Sequence, residues 1–181
     1  MEKTIIIQCS QHHTGSTVLV NILYGFIHYS RPVTFINFDV TPGHSIINNL
    51  LENDNLCIIK THICNIDRLT KHLKNYNLYF ICSERGPKII NKKYLSYNNV
   101  LVLKYCELLE TNNYSIKDIV ENINTKLIGF LPSEINLNKE KAIQRIKDMN
   151  NKYKLIKNRP FTYVDKFYHL HGSHRNRGKN I

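Results

Sequence analysis

A chain of 181 residues is long enough for one globular domain with its own hydrophobic core. Apolar residues make up 42% of the sequence and charged residues 22%, a balance that excludes an intrinsically disordered chain. Twenty-five Lys and Arg against 14 Asp and Glu give a formal net charge of +11. We therefore expect anionic partners, such as nucleic acid, phosphorylated or sulfated small molecules, or acidic membranes, although a solvated lysine-rich surface would give the same sum.

The first two thirds of the sequence alternate between strand-like and helix-like segments. The β-branched run at residues 4–9 predicts a buried strand, and residues 17–27 are apolar nearly all round, which is typical of a helix packed in an α/β layer. Further strand-like runs occur at residues 33–38, 56–60, 78–82 and 100–104. This alternation predicts a three-layer α/β fold with a mainly parallel central sheet of about five strands flanked by helices.

Two more helices are predicted after the last of these strands. Ser115 followed by Asp118 is a capping-box pattern, and the apolar residues in 116–128 recur at helical spacing. Residues 138–153 form a second, highly charged helical segment. Its apolar side chains share one face: Ala142, Ile143, Ile146 and Met149.

No repeat, low-complexity tract or linker divides the sequence, so we expect a single domain over residues 1–181 that ends in a basic, His/Arg-rich segment at 159–181. The five cysteines include no CxxC pair, which argues against a zinc site or a redox motif, and reduced thiols indicate a cytoplasmic location. The longest apolar stretch, residues 18–27, is too short to span a bilayer, and we expect no signal peptide and no membrane association.

The polar turn between the first strand and the first helix is the principal candidate site. A strand, a turn and a helix in this order direct free backbone N–H groups towards an anion. Gly15 permits a phosphate to approach closely, and the hydroxyls of Thr14, Ser16 and Thr17 can donate hydrogen bonds to it. The turn is therefore predicted to bind phosphate.

This turn fits the spacing of the nucleotide-binding pattern G-x-x-x-x-G-K-[ST], which makes the predicted fold P-loop-type. It departs from the pattern at two positions: Ser10 replaces the first Gly, and Ser16 stands where the Lys belongs. Without that lysine a triphosphate loses its main cationic contact, so the loop suits a smaller phosphate charge. A serine-rich helix cap would give a similar sequence.

Four segments, in sequence order, resemble the motifs of a known family. They are His13-Thr-Gly-Ser-Thr17, Ile58-Ile-Lys-Thr-His62, Tyr79-Phe-Ile-Cys-Ser-Glu-Arg-Gly-Pro87 and Val100-Leu-Val-Leu-Lys-Tyr-Cys-Glu-Leu-Leu109. The family is the sulfotransferases that use 3′-phosphoadenosine-5′-phosphosulfate (PAPS). Its motifs are a 5′-phosphosulfate loop, a Lys-Thr-His segment after a central strand, a strand followed by Arg-x-Pro, and a strand ending in Tyr-Glu-Asp-Leu. The resemblance covers residues 4–109.

The resemblance implies transfer of a sulfuryl group from PAPS to a hydroxyl or amine acceptor, with no metal required. His62 would be the general base, since imidazole titrates near neutral pH, and Lys60, two positions earlier on the same face, would support the site electrostatically. His13 stands at the family's loop cation and would help to neutralise the leaving phosphate. Residues 13–17 would hold the 5′ side of the nucleotide, and the guanidinium of Arg85 would pair with its 3′-phosphate.

The C-terminal tail is predicted to close over the nucleotide or the substrate. His174, Arg175 and Arg177, together with His171, would form an anion clamp in place of the family's glycine-rich motif. Two alternatives stay open for the tail: a zinc or copper site built from His169, His171 and His174, or a disordered basic end.

Two other functions also stay open. A P-loop nucleotide kinase or NTPase would need a carboxylate for magnesium at the end of a strand, and Asp39 is the one residue that could serve. A catalytically inactive relative would bind nucleotide, or RNA or DNA through its basic surface, but no nucleic-acid-binding motif is present and this function is not favoured. The acceptor cannot be read from the sequence, and a homodimer could complete its pocket because the chain is short for the family.

Overall fold

The computed structural model describes residues 3–39, 43–109, 111, 114–156 and 164–171. Its contacts divide the chain into two compact units. The first unit comprises Met1–Ser16 and Thr34–Tyr105, and the second comprises Thr17–Val33 and Cys106–Ile181.

The first unit is built around a five-stranded sheet in which all strands are parallel. The strands are β1 (Thr4–Cys9), β2 (Thr34–Phe35), β3 (Leu56–Thr61), β4 (Asn77–Glu84) and β5 (Val100–Lys104). Helices α2 (His44–Leu50) and α3 (Ile66–His72) lie in the connections that lead to β3 and β4. The predicted α/β fold class, with a parallel sheet of five strands and helices between them, is confirmed.

The order of the strands, β2-β3-β1-β4-β5, places β1 at the centre of the sheet. The register sets Gln8 of β1 beside Lys60 of β3 and Ile81 of β4. The carboxyl ends of β1, β3 and β4 therefore meet at one edge, which we call the carboxyl edge. Ligands of open α/β sheets bind at such an edge, where the chain continues on opposite sides of a central strand.

The core of the sheet follows from its sequence. Ile5, Ile6 and Ile7 in β1 are all completely buried, as expected when helices cover both faces of a parallel sheet. Strand β2 is shorter than the predicted run at 33–38, because it is an edge strand that pairs with β3 alone, at Thr34 and Phe35. Two 3₁₀ helices that were not predicted, Lys92–Ser96 and Tyr105–Leu108, precede and follow β5.

Among its described residues, the second unit contains three α-helices and a two-stranded antiparallel ribbon. Helix α1 (Ser16–Phe26) enters it from the loop, and α4 (Ile116–Leu127), α5 (Lys139–Ile156), β6 (Val164–Asp165) and β7 (Leu170–His171) complete it. Every residue of α1 from Val18 onwards is buried, in agreement with its nearly continuous apolar sequence. Gly25 permits close contact with α5, since a Cβ atom at this position would lie 2.5 Å from the Cα atom of Ala142.

The starts of α4 and α5 follow from local capping. The side chain of Ser115 accepts a hydrogen bond from the amide of Asp118 at 3.3 Å, and the Asp118 carboxylate accepts one from the amide of Ser115 at 2.8 Å, so the predicted capping box is confirmed. Helix α5 begins after Asn138, whose side chain accepts from the amide of Lys141 at 2.9 Å, and it ends at residue 156 rather than 153.

Arg145 joins the ribbon to the helices of the second unit. Its guanidinium stacks on the Tyr168 ring at 4.0 Å and donates to Oδ1 of Asn21 at 3.2 Å and to the carbonyl of Phe167. Asn21 in turn donates to the carbonyl of Tyr168 at 2.8 Å. These contacts connect α1, α5 and the ribbon through one part-buried polar cluster.

Two general features concern the cysteines and the apolar character of the helices. All five cysteines are free thiols, and Cys9, Cys57 and Cys82 are buried in the strands, where they pack as small apolar side chains. In the part of the chain that the structure describes, no helix combines the length and the apolar character that crossing a membrane requires.

Candidate functional site

The loop between β1 and α1 has the backbone geometry of an anion-binding nest. His13 and Gly15 have positive φ values of 69° and 85°, and the residue before each has a negative φ. Alternation of this kind turns successive N–H groups towards a shared concavity. A left-handed conformation costs a residue with a Cβ about 1–2 kcal/mol, so the surrounding contacts must hold His13 in it. Ser16 follows directly as the first residue of α1.

Ser10 replaces the first glycine of the nucleotide-binding pattern, and its side chain ties the loop to β4. Its hydroxyl oxygen accepts from Nε2 of Gln8 at 2.7 Å, from the amide of Ser83 at 2.8 Å and from the hydroxyl of Ser83 at 3.0 Å. The Ser83 hydroxyl also lies 3.2 Å from Oγ1 of Thr14. All four residues are buried, so this network holds both ends of the loop.

His62 lies at the carboxyl edge directly after β3. Its Nδ1 is 2.8 Å from the carbonyl oxygen of Ser10. A carbonyl oxygen can only accept, so Nδ1 carries the proton of the neutral ring and Nε2 keeps an unshared electron pair. Burial, followed by the positive charges of Lys60, His12 and His13, lowers the pKa of His62 to about 4, against the opposing effect of the Ser10 hydrogen bond. The imidazole is therefore neutral at physiological pH.

Two further aromatic rings lie next to the ring of His62. The ring centroid of His12 is 3.8 Å from that of His62, and the Phe35 centroid is 5.3 Å away. His12 was not among the residues predicted from the sequence, although it neighbours His13. The exposed rings of His12 and His13 have centroids 6.1 Å apart, so three imidazoles lie together beside the loop.

Lys60 is a lysine almost completely enclosed in the sheet, with 1% of its surface exposed. Burial lowers the pKa of Lys60 to about 7, so its ammonium group readily loses its proton near neutral pH. Beside it in the register lies Gln8, whose Oε1 is buried without a hydrogen-bond partner among the described residues. A negative charge bound nearby would raise the pKa of Lys60 and restore its full charge.

Arg85 lies just past the end of β4 in a tight turn with Lys88. The two residues exchange backbone hydrogen bonds of 3.2 and 3.1 Å, and Gly86 between them has a φ of 56°. The Arg85 guanidinium is exposed and stacks on the Tyr105 ring, 4.3 Å from its centroid. Stacking uses the face of the guanidinium and leaves its N–H edge to donate to an anion.

The structure brings most of the predicted site residues together in the first unit. Residues 13–16 of the loop, Lys60 and His62 gather at the carboxyl edge, and Arg85 follows the neighbouring strand β4. Thr17 is the second residue of α1. The predicted clamp residues His174, Arg175 and Arg177 lie outside the described residues. His174 is also the third histidine of the alternative metal site. Within the described ranges, no group of three or more His, Cys, Asp or Glu residues could hold a metal ion.

The acidic residues at strand ends are engaged in other contacts. Asp39, the residue that a kinase would need, follows the edge strand β2 and pairs with Arg68 at 2.6 Å on the surface. Glu84 ends β4, and its carboxylate accepts from the amide of Ile90 at 2.7 Å. Strand β3, which lies next to β1, ends in Lys60 and Thr61, and the residue that follows it is a base, His62, rather than an acid.

The structure thus combines a parallel α/β sheet with a loop of alternating φ signs and a neutral histidine at the carboxyl edge. No protein-family model matches the chain, and no curated protein matches its sequence.

Proposed function

We propose that the protein is a PAPS-dependent sulfotransferase that transfers a sulfuryl group to a hydroxyl or amine acceptor. The observation that carries the proposal is the meeting, at one edge, of a nest-shaped loop, the buried Lys60 and a His62 whose proton is committed to Nδ1. The resemblance of four segments to sulfotransferase motifs supports the same function.

The nucleotide would lie along the carboxyl edge. The N–H groups at residues 13–16 would bind the 5′-phosphate, and the exposed imidazole of His13 would lie beside it. The N–H edge of Arg85 would bind the 3′-phosphate through paired hydrogen bonds. The two phosphates of adenosine 3′,5′-bisphosphate would thus be bound at the ends of the adjacent strands β1 and β4.

In the transfer step the acceptor oxygen or nitrogen attacks the sulfur of PAPS. Nε2 of His62 takes the proton of the acceptor as the new bond to sulfur forms. The bond from sulfur to the bridging oxygen breaks, and adenosine 3′,5′-bisphosphate leaves with the electron pair. Lys60 and His13 would oppose the negative charge that develops on the leaving phosphate.

The low pKa values of His62 and Lys60 fit this role. A pKa of about 4 keeps His62 unprotonated and ready to accept a proton. The charges of bound PAPS would raise the pKa values of both residues, because an anion favours the protonated forms. His62 would become a stronger base and Lys60 a full cation only when the donor is bound.

The residues of the site support the alternative kinase function less well than the sulfotransferase function. Ser16 occupies the position of the phosphate-binding lysine, and the carboxylate of Asp39 is paired with Arg68. An inactive nucleotide-binding relative would keep the loop and Arg85 but would not need the His62 tautomer. We place the activity in the cytoplasm, since five free thiols fit a reducing compartment.

Thermal shift and calorimetric titration with adenosine 3′,5′-bisphosphate, AMP, ATP and GTP, each with and without Mg²⁺, test the proposal. The bisphosphate should stabilise the protein most and independently of Mg²⁺, by about 2.7 kcal/mol at 100 times its Kd. PAPS should then be consumed in the presence of a suitable acceptor. Stabilisation by Mg-ATP without any response to the bisphosphate would contradict the sulfotransferase and favour the kinase.

A further inference from the structure

After β4 the chain reverses direction, and residues 88 and 89 contact the loop between β1 and α1, which we call the phosphate loop. The turn from Arg85 to Lys88 makes this reversal, and Nζ of Lys88 then donates to the carbonyl oxygen of His12 at 2.7 Å. One residue later, the carbonyl of Ile89 accepts from Nε2 of Gln11 at 3.2 Å. Together with the Ser10–Ser83 network, these contacts bind the loop to the end of β4 at separate points.

The carbonyl that Lys88 binds belongs to the same peptide unit as the N–H group of His13. No peptide bond in the described residues is cis, so this C=O and this N–H point in opposite directions. A cation that fixes the carbonyl on one side therefore fixes the N–H on the other. His13 has the strained positive φ of 69°, and Lys88, which is half-buried, supplies a contact that can hold it there.

We propose that Lys88 is a positioning residue of the phosphate loop: its ammonium group holds the peptide between His12 and His13 in the anion-binding orientation before any ligand arrives. A preformed nest loses less entropy when it binds, so Lys88 increases the affinity for the anion. The identity of that anion, adenosine 3′,5′-bisphosphate, rests on the proposed function. The positioning role rests on the contacts of Lys88.

The role is tested by measuring the affinity for adenosine 3′,5′-bisphosphate after substitution of Lys88. Lys88→Met should weaken binding about tenfold, the scale of a hydrogen bond to a charged group, whereas Lys88→Arg should stay within about threefold of the wild type. Lys92→Met is the matched control, because it removes the same charge from an exposed residue close by, and it should change the affinity less than twofold. Circular dichroism and melting curves establish that each variant is folded.

A double-mutant cycle with His13→Gly separates positioning from simple charge. Glycine adopts positive φ without the penalty of a side chain, so the loop of His13→Gly needs less support. Lys88→Met should therefore cost about threefold in that background rather than tenfold. An equal loss in both backgrounds would mean that Lys88 acts by charge alone and would overturn the positioning role.

The remaining outcomes distinguish the two proposals. If the wild type binds the bisphosphate and Lys88→Met binds it as well as Lys92→Met does, the positioning role fails while the proposed function stands. If the wild type does not bind the bisphosphate, the proposed function fails, and the same variants are titrated with inorganic pyrophosphate. A selective loss of pyrophosphate binding in Lys88→Met would still support the role of Lys88, and equal binding by all variants would reject it.

Discussion

Nδ1 of His62 donates to the carbonyl oxygen of Ser10 across 2.8 Å, and this hydrogen bond joins the end of β3 to the first residue of the phosphate loop. It fixes the tautomer of the imidazole and, at the same time, the position of the ring relative to the loop. A base oriented in this way does not depend on a partner carboxylate. The hydrogen bond therefore holds the loop and the imidazole of His62 in a fixed position relative to each other.

His62→Asn should abolish transfer and leave nucleotide binding nearly intact. The side-chain amide of Asn can replace Nδ1 as the donor to Ser10, but it offers no basic nitrogen in place of Nε2. We expect turnover to fall at least about 100-fold, the usual contribution of a general base, while the Kd for adenosine 3′,5′-bisphosphate changes less than about threefold. Steady-state kinetics and calorimetry measure the two effects. Full turnover in His62→Asn would remove His62 from the mechanism.

A plot of kcat/KM against pH should be bell-shaped, with an acid limb at unusually low pH and an alkaline limb near pH 7. His62 loses its function as a base only when it is protonated, so the acid limb should lie near its pKa of about 4 rather than near 6.5. Lys60 loses its charge as the pH rises through about 7, which sets the alkaline limb. Lys60→Arg should shift that limb to higher pH, because a guanidinium stays charged. An acid limb near pH 6.5 would contradict the lowered pKa of His62.

Lys60→Met should stabilise the protein at and below neutral pH. The unfolded lysine keeps its proton up to pH 10.5, whereas the folded one loses it near 7, so stability rises with pH between these values. Methionine removes the buried charge, and its advantage of at most about 5 kcal/mol should be largest below pH 7 and should vanish towards pH 10.5. Urea unfolding at pH 6, 8 and 10 measures the difference. A constant difference across this range would contradict a lowered pKa.

Ser10→Ala should destabilise the fold more than Ser83→Ala does. The first substitution leaves the buried amide of Ser83 and Nε2 of Gln8 without their acceptor, at a cost of about 1–3 kcal/mol. The second removes a hydroxyl but keeps the amide bonded to Ser10, so it should cost less. Chemical denaturation of both variants gives the comparison. If Ser83→Ala loses as much stability as Ser10→Ala or more, the Ser83 hydroxyl contributes at least as much to this network as the Ser10 hydroxyl does.

Arg85→Ala should weaken binding of adenosine 3′,5′-bisphosphate by at least about 1.5 kcal/mol, the scale of one charge-assisted hydrogen bond. AMP, which lacks the 3′-phosphate, is the matched control ligand and should bind equally well before and after the substitution. Tyr105→Leu removes the stacking partner at 4.3 Å and should give a smaller loss in the same direction. Equal losses for both ligands would place Arg85 away from the 3′-phosphate.

Much of the fold could be predicted from the sequence because its signals are local. β-Branched runs indicate buried parallel strands whatever their partners are, so β1, β3, β4 and β5 lie close to their predicted positions. The start of α4 was predictable from Ser115 and Asp118 alone. The length of β2 was not, because an edge strand has a single neighbour and only Thr34 and Phe35 of the apolar run pair with it.

The contacts that shape the candidate site depend on the register of the sheet, which no local pattern encodes. Ser83 meets Ser10 only because β4 pairs with β1 in one register, and Lys88 reaches His12 only because the chain turns back at Gly86. A histidine does not by itself specify the positive φ that His13 adopts. The sequence could indicate the loop, Lys60 and His62, but not the residues that hold them.

The serine at the start of the loop also limits how this protein can change. Ser10→Gly would restore the glycine of triphosphate-binding loops, but it would deprive Gln8 and Ser83 of their shared acceptor inside the protein. Changing Ser83 would not remove this requirement, because the donor is its backbone N–H. Conversion to a kinase-like loop therefore requires another acceptor for this amide, together with changes at Gln8 and Ser16. A substitution of Ser10 is therefore coupled to the interior of β4 and is not confined to the loop.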